Sequence, residues 1–387
     1  MLVTAMKNLG DWLVVSVVYF VIGFALMFGD SVAGLVGSDL FLGIGLDGLG
    51  GLGWSFFLFQ LAFAGTAATI VSGAMAERTG FKAYLLFAVF MGAVIYPVFG
   101  HWVWGRGVYA DNESWLAALG FVDFAGGSAV HLIGAGAALA GVMVVGPRMG
   151  RYGADGSVKE LESGGLLWSV VGTMVLWFGW FGFNGGSALT VSADLGLVVF
   201  NTNIGGAIAG VTGFAHAQLF QSRRNTVEKT LGAALGGLVA VTAGANLFTP
   251  VTALAIGAVA GVLHNLAFEL IIYRWRLDDV AGAIPVHGFC GLWGVLCVGL
   301  FGDPTRLTHP FATQLGVQAL GAAVALVWSF GLSYGFFVLV KRTIGVRVDP
   351  MREVRGLSLS HKTEEEDDVD DELDSLFNDT ARPHEST

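Results

Sequence analysis

Ten long apolar runs alternate along the chain with short polar or glycine-rich turns. They lie near 11–29, 53–75, 82–104, 124–146, 165–186, 197–220, 229–245, 251–271, 283–302 and 313–340. A helix needs about 20 apolar residues to cross ~30 Å of hydrocarbon. In lipid only helices and closed barrels satisfy their own backbone, and runs of this length predict helices. The pattern breaks after about residue 345. The stretch EEEDDVDDE occupies 364–372, a charge block that cannot bury enough apolar surface to fold alone. The expected division is a membrane domain over 1–345 and a cytoplasmic, acidic and largely disordered tail over 346–387.

Composition sharpens this picture. Hydrophobic residues make up 54% and charged residues only 13%, against about 25% charged in soluble domains. Such a surface cannot all face water. The 58 glycines among 387 residues have no collagen period and predict close helix–helix approach in lipid. Cys290 and Cys297 sit seven apart in one apolar run and make neither a disulfide framework nor a metal motif. The first run, from Trp12, lacks a cleavage site and leads into further spans, so it reads as a span and not as a signal peptide.

Basic residues set the expected orientation. Of the 20 Lys and Arg, 18 fall on alternate loops or on the C-terminal segment from Lys341 onward; the opposite side holds only Arg106 and Arg306. The rich side is assigned to the cytoplasm, with both termini inside. Much of the net charge of −10 comes from the tail.

Two histidines fall within spans. His131 lies in DFAGGSAVHLIGAG (123–136) and His287 in DDVAGAIPVHGFCGLWG (278–294). Each follows a Val, and each has an Asp eight residues earlier, Asp123 and Asp279. Eight helical residues rise about 12 Å. Both imidazoles therefore fall near mid-membrane on segments of opposite direction, the mark of an inverted repeat with a site at its interface. Imidazole both donates and accepts protons near neutrality. His216 and His264, near span ends, read as packing residues. Asp123 and Asp279 read as helix N-terminal residues facing the positive dipole end.

Three further stretches combine aromatics with a hydroxyl: FQLAFAGT (59–66), GHWVWGRG (100–107) and WFGFNGGSALT (180–190). An aromatic face attracts a small cation, and a serine hydroxyl accepts its hydrogen bond. Phe63, Trp104 and Ser187 are the candidates. Taken singly, each aromatic is as readily a belt or packing residue. No nucleophile–base pair, metal cluster or phosphate loop is present, so the reading is not an enzyme, has no cofactor and involves no nucleic acid.

The residues resemble the Amt/MEP/Rh ammonium transporter family, the Amt branch most closely. The resemblance rests on FAGTAATIVSGAMAER (63–78), HWVWG (101–105), DFAGGSAVH (123–131), WFGFNGGSAL (180–189), NTNIGGAIAG (201–210) and DD…VHG…G (278–291), in family order across about 20–355. It implies an all-α polytopic membrane helix bundle of two inverted halves, assembled as a homotrimer with one pore per subunit. It implies an outer ammonium site at Trp104 and Ser187 helped by Phe63, a stacked gate of Phe63 and Phe183, paired pore histidines His131 and His287, and structural support from Asp123. The expected substrates are ammonium, ammonia and methylammonium, in a multi-pass cell-membrane protein. A PII-type signal protein is the implied cytoplasmic partner. The family's first helix has no counterpart in this sequence, because 6–30 resembles its second; about ten spans are expected here, with either an upstream start before them or a protein of ten spans. The stretch 346–360 resembles the family's regulatory C-terminal segment. Beside transport stands a second function, an ammonium sensor signalling through its tail.

Overall fold

A computed structural model of the chain describes residues 2–161, 165–192, 194–221 and 225–355. The acidic run 364–372 and the rest of the expected tail beyond 355 lie outside the described residues. Within them, nine helices are long and apolar enough to cross a membrane: α1 (Thr4–Phe28), α2 (Gly53–Ala74), α3 (Phe81–Gly107), α4 (Gly127–Val145), α5 (Leu166–Gly186), α6 (Asp194–Phe220), α8 (Pro250–Arg274), α9 (Ile284–Phe301) and α10 (Phe311–Thr343). The run expected at 229–245 forms α7 (Thr226–Thr242). At 17 residues it is about 26 Å long, short of the usual crossing length, and it starts one turn earlier than the apolar run. The early start places Lys229 inside the helix, fully buried; Glu269 of α8 pairs with it at 2.6 Å. A span edge read from apolar residues alone missed this because the partner charge comes from another helix.

The packing repeats. In the first half α1 meets α2 and α3, and α2 meets α4; in the second α6 meets α7 and α8, and α7 meets α9. The two central helices, α4 and α9, both open on a π-helical turn, Gly127–Leu132 and Ile284–Phe289. These turns carry His131 and His287. Helix α5 is largely exposed, with Phe178 at 77% and Trp168 at 65%, as expected of a face turned to lipid. Glycine supplies the tightest approach. A Cβ on Gly237 or on Gly257 would lie 2.3 Å from the carbonyl oxygen of Gly205. Thus α6, α7 and α8 touch through their backbones at one point, a contact that only glycine permits.

At the end of the bundle where α2, α4 and α8 finish, charges bind the turns together. Arg78, fully buried, donates to the carbonyls of Gly146, Ala74, Ala76 and Asp278. The Asp278 carboxylate accepts from Arg148 Nε at 2.8 Å and Nη2 at 2.9 Å. The chain after α10 folds onto the same end. Val348 N–H donates to Arg78 O, Gly80 N–H to Val346 O, and Arg347 forks onto Glu353. The short helix α11 (Pro350–Arg355) follows.

Burial raises the Asp278 carboxyl, but the hydrogen bonds and charge of Arg148 outweigh this and hold it below its ordinary value. Its contribution to stability is therefore complete above the normal carboxylate range and is lost as pH falls through the depressed value. Asp278→Asn is expected to cost about 3 kcal/mol near neutral pH, since it leaves Arg148 underpaired in a buried site. The difference from wild type should begin to shrink as pH falls below the ordinary carboxylate range, where the unfolded carboxyl protonates, and go on shrinking until the native carboxyl, held lower by Arg148, protonates too. Thermal melts in detergent across pH check this; a gap that stays constant with pH would remove the ion pair from the account.

Candidate functional site

Helix geometry sets the first half of the site. Phe59, Gln60 and Phe63 fall on one face of α2, at spacings that stack side chains on neighbouring turns. The last turn of α3 brings Trp104 beside them, and the end of α5 brings Phe183 and Ser187, also four residues apart. All of these but Phe183 border a cavity of about 290 Å³ lined by Phe63, Trp104, Ser187, Gln60, Phe124 and Arg106, among others.

A continuous column of rings leads inward from that cavity. Trp104 meets Phe63 edge-on at 6.0 Å. Phe63 stacks on Phe183 at 4.2 Å, with 27° between planes. Phe183 lies 5.6 Å from the His131 ring at 18°, and His131 lies 5.1 Å from His287 at 25°. Trp180 flanks His131 at 5.3 Å and is itself held by a bond from its Nε1 to Thr242 Oγ1.

The histidines meet edge to edge, Nδ1 to Nδ1, at 3.1 Å. Two neutral imidazoles can make this bond only if one Nδ1 carries the proton and the other accepts it. The two outer nitrogens then differ: the donor ring presents a bare Nε2, and the acceptor ring an Nε2–H. The pair is a directional unit able to exchange which ring holds which role. His131 is fully buried, and its Nε2 has no partner in the protein. A buried polar edge left free in this way is suited to a small polar solute.

Asp123 stands beside the column and not in it. Its carboxylate accepts from the backbone N–H groups of Gly126, Gly127, Ser128 and Ala129 and from Ser128 Oγ. It thereby caps α4, and Gly126, at φ +102°, makes the turn that points four amides at one side chain. Its backbone carbonyl accepts the indole N–H of Trp104 at 2.7 Å. One residue thus orients both the His131 helix and the cavity's tryptophan. Asp279 caps α9 more sparingly, through the amides of Ala283 and Ile284.

The structure brings Trp104, Ser187, Phe63, Phe183, His131 and His287 into one cavity-and-column system. Ser187 Oγ donates to Phe183 O at 2.9 Å, so its lone pairs remain available to a donor. His216 and His264 lie apart from the column; His264 is buried and bonds Asn265, and His216 packs near Phe220. Cys290 and Cys297 are buried free thiols. The polar and stacking residues of the site that were not singled out in the sequence include Gln60, Trp180 and Arg106. Gln60 had a signal, an amide one residue from Phe59 inside an apolar span, and its Oε1 is buried with no partner. Trp180 had none beyond its place in an aromatic run.

Comparison with known proteins is consistent across sequence and structure. The profile of the Ammonium Transporter Family matches residues 1–366. The chain is 39% identical over 371 residues to the ammonium transporter Amt2 of Archaeoglobus fulgidus, covering 92% of this chain and 79% of that one. A solved structure named Sensor Amt Protein superposes with a TM-score of 0.90 at 45% identity, covering 93% of this chain and 89% of that one. Candida albicans Mep2 superposes at 0.77 with 26% identity, covering 88% and 77%.

Proposed function

Since the chain belongs to the ammonium transporter family, a group of transporters and not enzymes, we propose a residue-level route for the ammonium that this multi-pass membrane protein carries. Ammonium enters the cavity bordered by Trp104, Phe63 and Ser187. The aromatic faces attract its charge, while Ser187 Oγ and the free Oε1 of Gln60 accept its hydrogens. Phe63 and Phe183 form a closed stack behind it. Beyond this gate ammonium gives up its proton. Neutral ammonia crosses the apolar column, and the proton travels along the hydrogen bond shared by His131 and His287. The observation that carries the reading is the unbroken run of rings from the cavity to the Nδ1–Nδ1 contact.

The cavity faces outward in this reading, and both termini are cytoplasmic. The protein works as a homotrimer, with residues 1–345 as the transport domain and 346–387 as a cytoplasmic segment open to a PII-type protein. Methylammonium shares the route.

Selection follows from the chemistry. Potassium is similar in size to ammonium but has no proton to lose, so a dry passage behind a cation site rejects it. The protein in liposomes should give ammonium-evoked currents or pH changes and no comparable potassium signal; equal rates for the two ions would sink the mechanism. Phe183→Ala removes one half of the stack and opens a void beside Phe63. It is expected to raise the potassium-to-ammonium ratio by about tenfold, read from the same currents.

A second reading is that the protein senses ammonium and reports through its C-terminal segment. It is favoured by the 45% identity to the Sensor Amt Protein. Deleting the chain beyond residue 355 separates the two readings: unchanged flux supports plain transport, and loss of flux or of a bound partner supports signalling.

A further inference from the structure

Among the described residues that line the outer cavity, Arg106 alone carries a formal charge, of the same sign as ammonium, and none is Asp or Glu. The side chain is exposed, and its Nε donates to Asn112 O at 2.9 Å, which ties the arm to the loop following α3. Among the described residues no carboxylate forms an ion pair with it. The other arginine on this side, Arg306, has a carboxylate at 3.8 Å, from Asp194. The backbone at Arg106 is fixed by its neighbours. A Cβ on Gly105 would meet Ser114 Oγ at 2.6 Å, and one on Gly107 would meet Phe28 at 2.8 Å and Phe56 at 2.9 Å. The turn carrying Arg106 is therefore wedged against the aromatic wall of the cavity, and the Nε bond to Asn112 O holds the guanidinium at its rim.

An arginine stays protonated at every relevant pH. A fixed cation beside a cation site opposes occupancy by simple repulsion. For two unit charges ~8 Å apart, the penalty ranges from about twofold in affinity at the dielectric of water to about thirtyfold at that of a protein surface. This runs against the cation–π and hydrogen-bond attraction of the same cavity, so the mouth combines chemical attraction with electrostatic repulsion.

We propose that Arg106 sets the affinity of the outer site, lowering it for every monovalent cation. The repulsion is common to all of them, so the preference for ammonium rests on its hydrogen bonds to Ser187 and Gln60, and Arg106 sets the concentration range over which the site fills. The inference rests on the reading of this cavity as the ammonium entry site. It has a consequence opposite in sign to that of an acid-lined mouth. Salt screens repulsion as readily as attraction, over ~10 Å at 0.1 M and ~3 Å at 1 M, so added salt relieves the penalty and tightens apparent ammonium affinity.

The test compares wild type, Arg106→Gln and Arg106→Lys in proteoliposomes. Ammonium-evoked currents are measured over a range of ammonium concentrations and at low and high sodium sulfate. Wild type and Arg106→Lys are expected to show a KM that falls as salt rises. Arg106→Gln is expected to show a KM lowered two- to thirtyfold at low salt and rising or flat with salt, the change lying in KM and not in the maximal rate. Sodium should also inhibit Arg106→Gln more strongly than wild type. If Arg106→Gln keeps the wild-type KM and salt response, the charge has no such role. Trp104→Leu is measured in parallel: a wild-type KM there would overturn the entry-site reading itself, independently of the Arg106 result.

Discussion

Ammonium-driven current is expected to fall by about a hundredfold in His131→Ala, and by a similar factor in His287→Ala. Proton transfer by a positioned group contributes typically 10²–10⁴ in rate, and here two rings supply one function. Removing either leaves the other without its Nδ1 partner at 3.1 Å, so neither variant can keep a directional pair. The double variant should therefore be little worse than either single one, as for residues that act as a unit. The His131 variant also opens the space between Phe183 and His287, and its residual current should discriminate less well against potassium. Currents and internal pH recorded on the two single variants and the double decide the matter. Wild-type flux in both single variants would remove the relay from the mechanism.

Asp123→Ala should have the largest structural effect. Its carboxylate satisfies four backbone amides and one hydroxyl at the start of α4, all buried. Each buried donor left without a partner costs about 1–3 kcal/mol, and the carboxylate also meets the positive end of the helix dipole. Even allowing for non-additivity, a loss of at least ~3 kcal/mol is expected. In practice this means little monodisperse protein after extraction and a markedly lower melting temperature. Asp123→Asn keeps one acceptor oxygen and should be intermediate. Since Trp104 is held by the backbone carbonyl of residue 123, the indole anchor itself survives both substitutions. A wild-type melting curve for Asp123→Ala would show that the turn finds other acceptors.

The predicted ten helices and the membrane class follow from apolar run length, and nine of the runs form helices of crossing length. The seventh falls short because its helix ends at Thr242, three residues before the apolar run does, and it begins at Thr226 so that its first turn includes Lys229, a residue that a hydropathy reading assigns to the interface. Burial of that lysine depends on Glu269, 40 residues away, and on the ring of Phe268 at 5.8 Å. Among the site residues, the two histidines were legible as a matched pair, since ionisable groups inside a membrane are rare enough to attract notice. Phe63 was legible as one candidate aromatic of its span, but Phe183 and the stacking of the two were legible only through the family motifs, because an apolar span contains many rings and periodicity does not say which ones stack. Arg106 was read only as a loop charge that helps set orientation, and Gln60, though an amide inside an apolar span, was not picked out. Only the wall of a cavity makes either one a contact for an ion.

The amino-acid sequence alone determined what is set by local free energy. A chain too apolar for water must enter lipid, and each run must then become a helix to satisfy its own backbone. The acid eight residues before each histidine also fixes where those helices begin. What only the tertiary structure decided is set by contacts between segments far apart in sequence. Such are the meeting of two imidazoles 156 positions apart, the stack of Phe63 on Phe183 from different helices, and the charge of Arg106 at the same mouth. Close approach of this kind arises from packing many helices at once, and no local pattern of residues encodes the distance.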